Sequence, residues 1–160
     1  MHRGDESEDN LIADLIFPTV VWRKHLTYDN SRLAQYITEL KSSTNGKAIS
    51  NVGGWQSLDS LRFPDKFNEL QTQISESIKQ ICIETNLPPL TLDNLWYNIN
   101  TPGSYNMIHN HPNSVISGVY YVDVPEDNMG NIEFYRSDDS EYYLKEKTNT
   151  FFGSTKFLYK

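Results

Sequence analysis

The chain has a single cysteine, Cys82, so an intrachain disulfide is excluded and a reducing compartment is indicated. Long hydrophobic runs are also missing. No apolar stretch approaches the roughly 18–20 residues that a membrane span needs, and the N-terminus lacks the hydrophobic centre of a secretory signal. Positive charge is scarce: 14 Lys and Arg stand against 21 Asp and Glu, a net charge of −7. That leaves no basic footprint for nucleic acid. Histidine is scarce too, with four in the chain and none after His111. These absences argue against a disulfide scaffold, a membrane protein and a non-specific nucleic-acid binder. They set the expectation of a cytoplasmic protein with neither nucleic acid nor membrane as partner.

What is present fits one globular domain. The 160 residues are 38% hydrophobic and 12% aromatic, with 10 tyrosines, enough for a core and leaning towards β-structure. Residues 1–10 are polar and acidic and are expected to form a flexible terminus that includes His2; residues 11–160 are expected to form a single domain. Phe17 to Leu26 reads as a strand that begins after Pro18, with His25 an ordinary strand-end or surface residue. Asp29 or Asn30 suits the N-cap of a helix carrying Leu33, Tyr36, Ile37 and Leu40 at helical spacing, ended by the turn-forming residues 42–46. Gly53-Gly54-Trp55 predicts a bulge, a loop or a close backbone approach. A phosphate cradle does not fit there, because no Lys-Ser/Thr follows.

Phe63-Pro64-Asp65 opens a second, longer helix. Its apolar stripe is Phe67, Leu70, Ile74, Ile78 and Ile81, with Cys82 as a small core residue, and Asn86 to Pro89 stop it. From Leu90 the pattern turns to β. Strands are expected at 95–100, 106–111, 114–124 and 131–135, with shorter β-like pieces at 142–145 and 155–159. Turns are expected at 101–104 and 125–130. Helices first and strands second argue for an α+β fold, mainly β, with a barrel or two-sheet jelly roll in the C-terminal part.

The chemistry concentrates between Asn98 and Pro125. His109 and His111 stand at i and i+2, which on a strand share one face. Neutral imidazole is the commonest protein metal ligand, so the pair is a candidate two-toothed metal site. The competing account is a pair of polar residues capping a turn before Pro112. The acidic Asp138, Asp139 and Glu141 beside Tyr142 and Tyr143 read as a solvated loop.

Taken in order, Trp96-x-Asn98, Pro102-Gly-Ser-Tyr105, His109-Asn-His111-Pro112, Ser117-Gly-Val-Tyr-Tyr-Val122 and Gly130-Asn-Ile-Glu-Phe134 resemble the Fe(II)- and 2-oxoglutarate-dependent oxygenases. The resemblance is strongest to the prolyl-hydroxylase-like superfamily as found in bacteria and phages, and Ile16-Phe17-Pro18 and Asn51-Val-Gly-Gly-Trp55 share it. It implies a double-stranded β-helix, a cupin-like jelly roll, with N-terminal helices packed outside. It implies Fe(II) and 2-oxoglutarate as cofactor and cosubstrate, and a bacterial or phage-infected cell as the location. The substrate is expected to be a small molecule or a peptide, and a homodimer is expected because an unfinished sheet exposes an edge.

Such enzymes hold iron on one face with two His and one carboxylate. By resemblance, His109 is the first ligand and His111 stands where the family usually has Asp, which would leave the site one unit more positive. Tyr121 matches a tyrosine that contacts 2-oxoglutarate, and Asn98 and Asn100 are further cosubstrate candidates. Tyr120, on the opposite face, is expected to be structural, and Ser117 fits either face. The family's distal His and its following Arg have no counterpart after His111, so the chain is expected to lack the last strands of the domain. Water, Glu133 or a partner chain could complete the ligand set. The alternative is a non-catalytic or cupin-like metal-binding β-helix protein.

Overall fold

A computed structural model describes residues 19–60, 62–125, 130–135 and 156–159. Helix α1 spans Ser31–Ser43, and Asp29 and Asn30 divide the work at its start. Asp29 Oδ1 accepts hydrogen bonds from the Ser31 amide at 3.0 Å and the Ser31 hydroxyl at 2.7 Å. These bonds satisfy a first-turn donor and hold the Asp29 carboxyl below its ordinary value. Asn30 instead accepts a hydrogen bond from the Tyr120 hydroxyl at 2.8 Å, which ties the helix start to a residue 90 positions away. After a single 3₁₀ turn at Asp65–Phe67, α2 runs over Asn68–Thr85. It ends in a Schellman arrangement: Asn86 is left-handed at φ 55°, and Leu87 N–H donates to the Cys82 carbonyl at 2.9 Å.

The two helices meet over an aromatic core. Leu33 and Ile37 from α1 and Leu70 from α2 are buried with Trp55, Phe63, Phe67 and Tyr97. The Tyr36 ring joins α1 to the 3₁₀ turn and to Tyr97, 5.4 Å from Phe67 and 5.9 Å from Tyr97, and Phe63 closes on Tyr97 at 6.3 Å. Such offset and edge-on pairs add to what their buried area contributes. Cys82 is buried, and Ile74 packs on the core as its spacing predicts.

The β-structure is an irregular antiparallel ribbon. One arm holds β1 (Asn51–Val52) and β2 (Trp55–Gln56); the other holds β3 (Asn98–Ile99) and β4 (Tyr105–Asn106). Trp55 and Gln56 pair with Ile99 and Asn98, and Asn51 and Val52 pair with Asn106 and Tyr105. Ser60 and Leu95 exchange two bonds of 2.8 Å at one end, and Met107 N–H reaches the Ser50 carbonyl at 2.8 Å at the other. Between the two pairings, residues 100–104 loop out opposite Gly53 and Gly54. This is the close approach the two glycines predict: a Cβ on Gly54 would lie 2.2 Å from Asn100 Oδ1. Gly103, at φ 84°, takes the position after Pro102 in the tight turn. A third antiparallel pair joins β5 (Ile132–Tyr135) to β6 (Lys156–Tyr159).

The architecture is therefore α+β with short antiparallel strands. It differs from expectation in three stretches. Residues 19–26, 107–111 and 114–124 are not strands. A strand exists only through its ladder partner, and among the described residues these stretches have none beyond the single Met107–Ser50 bond, despite their β-branched composition. Pro112 also lacks an amide donor, and a turn closed from Ser114 N–H to the His111 carbonyl at 3.3 Å, with Asn113 at φ 66°, redirects the chain. The expectations for residues 1–18, for the turn at 126–129 and for the acidic loop and short β-piece within 136–155 lie outside the described residues.

Leu70→Ala, at a site with 0% exposure, is expected to lower the unfolding free energy by about 2–5 kcal/mol. Ile83→Ala, at a site 73% exposed on the same helix, should change it by less than about 0.5 kcal/mol. Urea unfolding of both variants checks the contrast.

Among the described residues the buried Tyr97 hydroxyl has no hydrogen-bond partner, and burial first, then neighbouring Tyr36, raises its pKa from 10.0. Below the unfolded-state value both states are protonated and the hydroxyl contributes no pH dependence. Above it the unfolded chain releases the proton while the folded chain retains it, so stability falls as pH rises. Tyr97→Phe should therefore flatten the alkaline limb of a stability–pH curve. At neutral pH it should raise stability by about 1 kcal/mol, because an unpaired buried donor is removed.

Candidate functional site

The end of the ribbon delivers the histidine pair. Beyond the Met107–Ser50 bond the chain leaves the ladder, and His109 and His111 are both exposed. Their rings nevertheless meet edge to face, with centroids 4.9 Å apart. His111 also lies against Trp96, 5.7 Å between centroids with the planes 35° apart. Trp96 is half-buried on the second arm of the ribbon, between Leu95 and Tyr97, whose backbones are bonded to Ser60 and Ser57. One ring of the pair thus leans on a residue held by the core.

The other ring is held by the backbone. His109 Nδ1 lies 2.6 Å from the Met107 carbonyl. A carbonyl can only accept, so Nδ1 carries the proton and donates it. In the neutral imidazole this is the tautomer that leaves the Nε2 lone pair for a metal, the arrangement in which ligand histidines are commonly oriented. Nitrogen donors of this kind suit Fe(II) as well as Zn(II), Cu(II) and Ni(II). The residues present therefore fit a divalent metal as two of its ligands. Among the described residues no group of three or more His, Cys, Asp or Glu is gathered that could hold an ion. Glu133 is thus not grouped with the histidines; it lies on β5 and accepts a hydrogen bond from Tyr135.

The remaining candidates divide. Asn100 Nδ2 donates to Asn106 Oδ1 at 3.2 Å, which links it to the residue three positions before His109. Asn98 is exposed and pairs through its backbone with Gln56. Tyr121 is 55% exposed, and among the described residues no hydrogen bond or ring contact joins it to the histidines. Tyr120, by contrast, packs on the core and bonds Asn30. Ser117 is exposed.

Sequence reasoning missed Asn106, Ser50 and the Met107 carbonyl. Asn106 Nδ2 donates to Ser50 Oγ at 3.1 Å. Ser50 is 56 residues away in the chain and carries no motif, so only the pairing of the two arms could have shown it.

Residues 94–157 match the model of the family described as "Putative 2OG-Fe(II) oxygenase". The match covers less than half of the chain, but it contains Trp96, both histidines, β3 to β5 and the first two residues of β6. No curated protein and no solved structure matches the chain significantly.

Co(II) added to the protein is expected to quench the part of its tryptophan emission that comes from Trp96, one of three tryptophans. The quenching should disappear in Trp96→Phe and in His111→Ala. Undiminished quenching in His111→Ala would show that the metal sits elsewhere.

Proposed function

We propose that this protein is a non-haem Fe(II)- and 2-oxoglutarate-dependent dioxygenase, a hydroxylase, with His109 and His111 as iron ligands. The observation that supports it is the coincidence of the family match with a histidine pair whose rings converge and whose first member has its tautomer set for ligation through Nε2. On this reading the matched strands belong to a double-stranded β-helix within a single domain. Asn98, Asn100 and Tyr121 face the cosubstrate, and the substrate is a small molecule or peptide. A bound iron with 2-oxoglutarate and dioxygen supplies oxidative decarboxylation coupled to oxidation of a substrate C–H bond. The chain's own part is to present two neutral imidazoles in a fixed relation and to leave the other coordination positions open.

A second reading has a specific observation in its favour. Two donors, with no third gathered among the described residues, also suit a non-catalytic or cupin-like metal-binding relative. The two readings part in an anaerobic visible spectrum with Fe(II), recorded before and after 2-oxoglutarate. The oxygenase reading expects a new charge-transfer band when the 2-oxo acid is added to wild type, and its loss in His109→Ala. Iron bound without that band favours the metal-binding relative, and iron retained equally by His109→Ala removes the assignment of the pair. Among the described residues no helix is long and apolar enough to cross a membrane.

A further inference from the structure

We propose that Asn106 is a positioning residue for His109, acting through Ser50 and the Met107 peptide; the inference rests on reading His109 as a metal ligand. Four bonds in sequence carry it. Asn106 Oδ1 accepts from Asn100 Nδ2 at 3.2 Å, and Asn106 Nδ2 donates to Ser50 Oγ at 3.1 Å, so its amide is held at both ends. Ser50 is buried, and its own carbonyl accepts the Met107 N–H at 2.8 Å. The Met107 carbonyl, on the far side of the same residue, accepts His109 Nδ1–H at 2.6 Å.

The Ser50–Met107 bond is the last rung of the ladder, with exposed chain beyond it. Terminal rungs open most readily unless side chains hold them, and Asn106 is the side chain that crosses between the arms at that rung. Asn100 is in turn seated against Gly54, where a Cβ would lie 2.2 Å from its Oδ1. The device therefore runs from the glycine pair, through two asparagines and a buried serine, to one imidazole nitrogen.

The consequence concerns the tautomer. A free neutral imidazole side chain favours the proton on Nε2, whereas this ring is held with the proton on Nδ1. If the Met107 carbonyl turns away, His109 loses its acceptor and reverts towards the Nε2–H form, which cannot ligate through Nε2. The Asn106 side chain bonds Asn100 and Ser50 rather than either imidazole; it acts by keeping the rung closed.

The test is a ¹⁵N spectrum of the His109 ring in the metal-free full chain at a pH where the imidazole is neutral, together with a Co(II) titration of the same samples. Wild type should show the Nδ1–H pattern. Asn106→Leu, similar in size and without hydrogen bonds, should move His109 towards the Nε2–H pattern and weaken Co(II) binding by about 10-fold, the low end for loss of an outer-sphere partner. Asn106→Asp should rescue both, because the Ser50 hydroxyl can turn to donate to it. Ser50→Ala, which deletes only Oγ from a buried residue, gives an independent route to the same shift should Asn106→Leu fold poorly. An unchanged ring pattern in Asn106→Leu and Ser50→Ala overturns the proposal. A wild type that binds no Co(II) overturns the ligand reading alone, and the ring spectra then decide the positioning role by themselves.

Discussion

The structure depends on the pairing of two chain segments distant in sequence, from Ser60 with Leu95 at one end to Ser50 with Met107 at the other. Its first rungs belong to the core. Ser57 N–H donates to the Tyr97 carbonyl at 2.9 Å, while Ser57 Oγ accepts the Tyr97 N–H at 3.0 Å. The Tyr97 ring between these bonds packs against Phe63 and Tyr36. Its last rung belongs to the candidate site. Closing such a loop costs conformational entropy before any contact rewards it, and the reward here comes from the aromatic core at one end. The histidine pair is therefore placed by an element whose stability is supplied elsewhere, as is usual for sites carried on loops.

This dependence explains why the helices were legible in the sequence and the ribbon was not. Helix α1 announces itself through Leu33, Tyr36, Ile37 and Leu40, and α2 through Phe67, Leu70 and Ile74, because helical burial repeats within the window where it is read. Their ends were legible as well, at Asp29 and Asn30 and at Asn86. What could not be read was that the two N-terminal candidates have different partners, since Tyr120 reaches Asn30 from 90 residues away. The two-residue strands have no period to detect. Gly53 and Gly54 signalled a close approach, but not that Asn100 makes it. The strand expected over 114–124 shows the opposite failure: β-rich composition is a statement about packing surfaces, and composition does not supply a partner.

The candidate site divides in the same way. The histidine pair was legible because spacing and residue type suffice to nominate it. What orients the pair was not, because the Met107 carbonyl is main chain and Ser50 is remote. Asn106 stood inside the motif but was read only as one residue of a strand. The sequence argument for the pair, a shared strand face, also needs amendment. Residues 108–111 are outside the ladder, and what brings the rings together is a local chain path steadied by Trp96 at one ring and by a backbone carbonyl at the other.

Metal identity follows from a different part of the site than metal binding. Two neutral imidazoles bind the later first-row ions in the general order that places Fe(II) below Co(II), Ni(II) and Cu(II), so the pair itself cannot select iron. On the proposed oxygenase reading, His111 in the place of the usual Asp strengthens that conclusion, because it removes the anionic oxygen donor that a hard ion favours. Selection, if the site uses iron, must come from the remaining donors and from an anionic cosubstrate, whose charge compensates the missing carboxylate. The orientation of His109 is common to every metal, since it is set by a hydrogen bond on the far side of the ring. An ion that is stable in air can therefore report how the ligand is held, while only Fe(II) with 2-oxoglutarate reports what the site is for.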